Sequence, residues 1–104
     1  MAKPKRARSQ RREADGEVRK FREGAKKLYE AEPGGAPDRP VTVSAASQVE
    51  PDAESVRCPF CRAGVRLLGH DAIVHEGRRL RKVALECRAC HAGWTRFYTL
   101  ALLN

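Results

Sequence analysis

A chain of 104 residues has room for one small domain and an extension, which excludes a pair of ordinary domains. Its formal net charge is +8, from 21 Lys and Arg against 13 Asp and Glu. Such an excess favours a polyanionic partner, with nucleic acid ahead of an anionic membrane surface or an acidic protein. The alternative is a basic surface that only keeps the protein soluble.

The sequence predicts neither a signal peptide nor a membrane span. Its basic N-terminus precedes no apolar region, and the longest apolar run, Tyr98 to Leu103, is far shorter than the ~20 residues that a span needs. We therefore expect a cytoplasmic protein, associated with the nucleus or nucleoid according to the organism. In a reducing compartment four cysteines are better explained as metal ligands than as disulfides.

Residues 1–31 are predicted to form a basic tail followed by an amphipathic helix. The first ~9 residues have too few apolar side chains to fold. From residue 9 to residue 31, apolar side chains recur at helical spacing, and Pro33-Gly34-Gly35 then ends the helix. So short a helix is marginal alone, so we expect it to dock on a protein or RNA partner, or on the C-terminal domain. The predicted docking residues are Val18, Phe21, Leu28 and Tyr29.

Residues 32–55 have the composition of a flexible acidic linker. They combine Pro, Gly, Ala and Ser with five acidic side chains and one basic one. We expect this segment to tether the helix to the C-terminal domain, residues 56–104.

The C-terminal segment contains two CxxC motifs. Cys58-Pro-Phe-Cys61 and Cys87-Arg-Ala-Cys90 are separated by 25 residues, a spacing typical of a four-thiolate zinc site. Two intervening residues allow a tight turn to direct both sulfurs at one ion, with bonds of ~2.3 Å. The sequence predicts one structural Zn²⁺ bound by Cys58, Cys61, Cys87 and Cys90.

Other interpretations of the cysteines remain open at this point. The segment Cys87-Arg-Ala-Cys90-His91 (CRACH) also fits a c-type haem attachment site. Attachment of such a haem requires export of the protein, and it would leave the first motif, CPFC at residues 58–61, unexplained. CPFC alone resembles the redox dithiol of the glutaredoxins, but a strand rather than a helix is predicted after it. An iron–sulfur centre needs the same four thiolates. His91 is expected at a sharp turn beside the metal, with a ligand role as the alternative, and His70 and His75 as half-exposed polar residues.

Strand patterns fill the rest of this segment. We predict three antiparallel strands, one from Val65 to Val74 bent at Gly69, one from Leu80 to Glu86, and one from Trp94 to Leu100, with a turn at residues 75–78. The fold class is a small metal-stabilised β structure, preceded by a basic, partly helical extension. The expected core residues are Leu67, Ile73, Val83, Leu85, Trp94, Phe97 and Tyr98.

This arrangement resembles a zinc ribbon, over residues 56–104. It is similar to the small zinc-ribbon transcription elongation factors of archaea and eukaryotes, which also join a basic N-terminal tail to a ribbon opening with CPFC. The resemblance implies a three-stranded antiparallel sheet held by one zinc ion, and partners such as RNA polymerase, the ribosome or nucleic acid.

Basic side chains supply the candidate phosphate contacts, because phosphate binding gives affinity without reading sequence. They are Lys3, Lys5, Arg6, Arg8, Arg11 and Arg12 in the tail, and Arg78, Arg79, Arg81 and Lys82 at the hairpin.

The function that we expect is noncatalytic binding of nucleic acid, or of a transcription or translation machine, with no small-molecule substrate. Four thiolates leave no open metal position for activating water, so no enzymatic activity is expected. The alternatives are an adaptor that docks on a large enzyme such as RNA polymerase and, more weakly, a thiol redox or zinc-storage protein.

Overall fold

The computed structural model describes residues 7–101, and within the first helix it describes side chains from Asp15 onward. Two helices and four strands follow one another along the chain. They are α1 (Ala7–Ala31), β1 (Val41–Val43), α2 (Val49–Ser55), β2 (Val65–His75), β3 (Arg78–Cys87) and β4 (Gly93–Leu100), with a short 3₁₀ helix at Ala46–Gln48 before α2. No helix in the described part of the chain is long and apolar enough to cross a membrane.

Strands β2, β3 and β4 form an antiparallel sheet in the order that the sequence predicts. The β2–β3 hairpin turns at Glu76 and Gly77, whose φ angles of 50° and 76° match the two-residue turn that follows the right-handed twist of paired strands. The register shifts between Leu67 and Gly69, so the bend expected at Gly69 is a β-bulge.

A fourth strand corrects the predicted strand count. Strand β1 pairs in parallel with β4, with Val41 opposite Tyr98, so the sheet is mixed and has the order β1-β4-β3-β2. Val41 and Val43 pack partly buried against the core while Thr42 is exposed. The alternation of two β-branched apolar side chains with a polar one is enough for a short edge strand.

The segment predicted to be a flexible linker is built into the folded domain. Val49 and Ala53, four residues apart on α2, are both fully buried against the sheet. Glu50 and Asp52 lie in the first turn of α2, where carboxylates complement the positive end of the helix dipole. Three of the five acidic residues of this segment, Glu50, Asp52 and Glu54, therefore belong to a short amphipathic helix rather than to a tether.

The main core lies between α2 and one face of the sheet. Of the expected core residues, Val83, Leu85 and Tyr98 are buried there, and Leu67 and Trp94 pack partly buried against them. The other expected residues lie elsewhere: Phe97 is buried outside this cluster, at an alternate position of β4, and Ile73 is half-buried.

Helix α1 begins at Ala7, two residues earlier than predicted, and ends before Pro33. Its last turn is fixed by Tyr29, which is only 6% exposed. The Tyr29 hydroxyl donates a hydrogen bond to the Thr95 carbonyl at 2.9 Å, and its ring meets the Trp94 ring edge-on at 6.3 Å. Tyr29 therefore anchors α1 to its own sheet, so of the docking targets expected for the helix this side chain contacts the C-terminal domain.

Candidate metal centre

The four cysteines lie in two turns at one end of the sheet, away from the β2–β3 hairpin turn. The first turn connects α2 to β2, and the second connects β3 to β4. Val65 at the start of β2 pairs with Cys87 at the end of β3, which brings the turns together. The Arg88 amide also donates to the Gly64 carbonyl at 3.0 Å, linking one turn to the other.

The two turns have the same backbone geometry. In each, the amide of the first cysteine donates to the carbonyl oxygen five residues later, at 3.0 Å from Cys58 and 2.9 Å from Cys87. The residue after the second cysteine donates back to the first cysteine's carbonyl oxygen, at 2.9 Å from Arg62 and 3.1 Å from His91. Both residues adopt left-handed backbone angles, with φ of 67° and 60°. The sharp turn expected at His91 is therefore present, and Arg62 is its counterpart.

The sulfur atoms converge as the motif spacing predicts. All four lie within 4.8 Å of one another, with Cys58 and Cys90 sulfurs 3.7 Å apart and Cys61 and Cys87 sulfurs 3.3 Å apart. None of the four is in a disulfide. Bonds of ~2.3 Å to a tetrahedral ion would place sulfurs about 3.8 Å from one another. The cluster can therefore hold a metal ion such as zinc.

Backbone amides point at the sulfurs. The amides of Ala89 and Cys90 each lie 3.3 Å from the Cys87 sulfur, and the Phe60 amide lies 3.3 Å from the Cys58 sulfur. Burial raises the pKa of the Cys87 thiol, but the amides of Cys90 and Ala89, together with hydrogen bonds from the Cys61 and Cys90 thiols, outweigh this effect and lower the pKa to about 6. These donors favour the thiolate form, which is the form that binds metal.

The thiol most accessible to solvent has the opposite tendency. Cys61 is exposed, whereas Cys58 and Cys87 are buried. The Ala63 amide lowers the pKa of Cys61, but its interaction with the Cys87 sulfur and its desolvation raise the pKa by more. The lowered pKa and the solvent exposure therefore fall on different cysteines.

Histidines stand outside the sulfur cluster. The candidate ligand group found in the described residues consists of the four cysteines alone. His91 is exposed, and its Nδ1 lies 3.6 Å from a Glu86 carboxylate oxygen. That carboxylate also accepts a 2.6 Å hydrogen bond from Arg66, which lowers the pKa of Glu86. His70 and His75 are partly buried on β2, in agreement with the half-exposed positions expected for them.

The hairpin places its basic residues at the far end of the sheet from the cysteines. Arg78, Arg79 and Lys82 are exposed and Arg81 is half-buried. The ion pairs found within residues 15–101 include none of these four side chains. The three arginines line a cleft of about 1050 Å³ whose apolar wall includes Leu80.

The predicted basic tail cannot be placed in the same way. Lys3, Lys5 and Arg6 lie outside the described residues. Arg8, Arg11 and Arg12 belong to α1, but their side chains lie outside the described part of the chain.

The remaining predicted docking residues lie on an open face of α1. Val18, Phe21 and Leu28 are 54%, 64% and 71% exposed. Phe21 and Leu28 line a groove of about 670 Å³ between α1 and the first cysteine turn. The opposite wall of the groove contains Arg57, Pro59, Phe60, Cys61 and Arg62, and sequence reasoning did not connect these residues with α1. No periodicity links them, because their proximity depends on how Tyr29 fixes the helix.

Comparison with protein-family models, with curated proteins and with solved structures gives no match for this chain. The function proposed below therefore rests on the geometry of the residues.

Proposed function

We propose that the four cysteines bind one structural zinc ion and that the domain is a noncatalytic zinc ribbon. The support is the convergence of four reduced sulfurs in two geometrically equivalent turns, with amides directed at them. If all four thiolates bind the ion, no position is left for a water or substrate. In so small a domain, a structural zinc contributes on the order of 10–16 kcal/mol, as in zinc-finger peptides.

Metal content is the direct test of this site. The protein, purified without added metal, should contain one zinc per chain, and a strong chelator should unfold it. The Cys58→Ser variant should lose the metal and most of the circular dichroism of the folded protein. Ser44→Ala, at an exposed residue, is the control for handling and purification. Iron with visible charge-transfer absorbance would instead identify an iron–sulfur centre.

We propose further that the ribbon binds nucleic acid within a transcription or translation machine through its hairpin and basic tail. The observation that carries this proposal is the cluster formed by Arg78, Arg79, Arg81 and Lys82. These residues lie in the half of β3 nearer the hairpin turn, and none of the four side chains is in an ion pair found within residues 15–101. Unpaired cations of this kind neutralise phosphates and release counterions, which makes binding favourable and salt-dependent.

A charge-matched pair of variants tests the hairpin. Binding to a labelled RNA and a labelled DNA duplex is followed by anisotropy over a range of salt concentrations. Arg79→Gln with Arg81→Gln should weaken binding and reduce the log–log salt slope by about 0.9 for each duplex phosphate that the variant no longer neutralises. Arg19→Gln with Arg22→Gln removes the same charge from exposed α1 positions and should have a smaller effect. Equally weakened binding by both double variants would show that net charge alone drives binding, and the hairpin proposal would fail.

The second candidate function is an adaptor that docks on a large enzyme. It is favoured by the exposed apolar residues on α1 and the groove beside them. A redox role has less support, because the exposed thiol, Cys61, has a raised pKa while the thiol of lowered pKa, Cys87, is buried.

A further inference from the structure

The groove between α1 and the first cysteine turn is lined by apolar side chains where it borders the helix. Of the five exposed large apolar side chains in the described residues, Val18, Phe21 and Leu28 lie along one stripe of α1. Phe21 and Leu28 line the groove, and Phe60 lines its opposite wall. Three exposed apolar side chains on one stripe are more than scattered surface residues, and contiguous patches of this kind commonly mark interaction sites.

Four groove-lining residues of α1 surround a hole that could accept a side chain from a partner helix. Phe21, Gly24, Ala25 and Leu28 stand at positions i, i+3, i+4 and i+7, the arrangement that accepts one side chain of a facing helix. Gly24 and Ala25 give the hole a shallow floor between two large side chains. A Cβ added at Gly24 would meet nothing within 4 Å, so contact at that atom within the described chain does not explain this glycine. In a helix it costs up to ~1 kcal/mol relative to alanine.

The wall of the groove opposite α1 is basic. Arg57 and Arg62 line it on the cysteine-turn side. On the helix side, Lys20 and Lys27 are exposed at four residues before and three residues after Gly24, with exposed Glu23 between them, so that border carries both signs of charge. The acidic side chain lining the groove is Glu32, at the end beyond α1.

We propose that this groove binds an acidic amphipathic helix of a partner protein. The apolar side chains of that helix enter the hole at helical spacing, and its carboxylates on one flank face Arg57 and Arg62. A second copy of this chain is less complementary than an acidic helix, because its α1 would bring Lys20 and Lys27, as well as Glu23, toward Arg57 and Arg62. The proposal is independent of nucleic-acid binding by the hairpin, which lies at the other end of the sheet.

A designed peptide tests the groove in the metal-loaded full-length protein. The probe is a labelled helical peptide of about 16 residues with leucines on one face and glutamates beside them. Trp94, the single tryptophan, reports binding because its ring lies 6.3 Å from the Tyr29 ring and 6.5 Å from the Phe60 ring, and both residues line the groove. The acidic peptide should bind and alter Trp94 emission. A scrambled peptide and a peptide with lysine in place of glutamate should each bind at least about tenfold more weakly.

Two glycine substitutions make the test site-specific. Gly24→Leu fills the hole and should weaken peptide binding at least about tenfold. Gly16→Leu is the matched control, because a Cβ at Gly16 also meets nothing within 4 Å and Gly16 does not line the groove. The Gly16→Leu variant should bind the acidic peptide with the affinity of the parent protein. The Arg79→Gln, Arg81→Gln variant should also bind it with that affinity. Unchanged zinc content and circular dichroism would show that each variant is folded.

Several results would overturn the proposal. One is equal affinity of the acidic and lysine peptides, and another is unchanged binding by Gly24→Leu. A concentration-dependent dimer that Gly24→Leu dissociates would assign the groove to a second copy of the chain. Displacement of the peptide by an oligothymidine, with the same weakening in Gly24→Leu, would assign it to nucleic acid.

Discussion

Arg62 and His91 occupy the same position in the two cysteine turns, and both have a left-handed backbone, with φ of 67° and 60°. The amide of each donates to the carbonyl oxygen of the first cysteine in its turn. This region costs a residue with a Cβ roughly 1–2 kcal/mol, whereas glycine has none of that steric penalty. The turns therefore impose backbone strain at two positions immediately next to candidate ligands.

The first prediction is that His91→Gly keeps the metal and is at least as stable as the parent protein. Relief of the left-handed strain should raise the free energy of unfolding by up to ~1 kcal/mol, offset in part by the flexibility of glycine in the unfolded chain. Denaturant unfolding of the metal-loaded protein measures this difference. Arg62→Gly should behave in the same way, as the equivalent position in the other turn.

His91→Gly also separates two roles for the histidine. If His91 acted as a ligand in place of a cysteine, its removal would reduce zinc content or affinity, while Arg62→Gly would not. Equal zinc content in both variants would agree with the cluster of four cysteines. A selective loss of metal in His91→Gly would contradict it.

The second prediction concerns the turn that ends α1. A Cβ added at Gly35 would overlap the Tyr29 carbonyl group and the Glu30 backbone. Gly35→Ala should therefore displace the last turn of α1 and lower the free energy of unfolding by about 1–3 kcal/mol or more. Trp94 emission should also change, because Tyr29 packs against that ring.

Gly16→Ala is the control for that substitution. A Cβ at Gly16 meets nothing within 4 Å, and alanine is favoured over glycine inside a helix by up to ~1 kcal/mol. The two Gly-to-Ala changes should therefore have opposite signs. If the Gly35→Ala and Gly16→Ala variants had the same free energy of unfolding, residues 33–35 would not pack closely against the end of α1.

The third prediction tests whether α2 belongs to the core. Val49 is fully buried against the sheet, so Val49→Ala should leave a small cavity and lower the free energy of unfolding by about 1–3 kcal/mol. Val18→Ala, which truncates an exposed valine on α1, should change it by less than about 0.5 kcal/mol. If Val49→Ala left the free energy of unfolding unchanged, α2 would not belong to the core and the 32–55 segment would be a tether.

The sequence predicted the local features and missed the packing of weakly patterned segments. The spacing of Cys58, Cys61, Cys87 and Cys90 was sufficient for the cluster, because turn geometry is set within a few residues. The β2–β3 turn was equally local, since Gly77 supplies a positive φ that the turn requires.

Strand β1 and helix α2 could not be recognised in the same way. Val41–Val43 has three residues and α2 has seven, too few to show a period among Pro, Gly and acidic neighbours. Helix α2 depends on burial of Val49 and Ala53 against the sheet, and β1 depends on its pairing with β4, which is far away in the sequence. The α1 groove depends in turn on the Tyr29–Thr95 hydrogen bond, which no sequence pattern indicates.

A partly buried polar network joins α2 to β4. The Tyr98 hydroxyl donates to a carboxylate oxygen of Asp52 at 2.5 Å and accepts a hydrogen bond from Arg96 Nε at 2.7 Å. Burial, together with the hydrogen bond to Asp52, raises the pKa of Tyr98 well above its ordinary value. The fold therefore holds this phenol in its neutral form.

The last prediction follows from the sign of that shift. Below the unfolded-state pKa of about 10, Tyr98 is neutral in both states and the stabilisation is fully present. Above it, the phenol of the unfolded chain ionises while the folded phenol does not, so the free energy of unfolding falls with pH by at most about 1.4 kcal/mol per unit.

Tyr98→Phe should be less stable near pH 8 by about 1–3 kcal/mol, because Asp52 and Arg96 lose a partner. Its stability should also fall less steeply above about pH 10, since one of the tyrosine ionisations has been removed. Every other titratable group, Tyr29 included, is present in both proteins, so the difference between the two slopes isolates Tyr98. Equal slopes would mean that Tyr98 ionises as readily in the folded chain as in the unfolded one, and the network would not protect it.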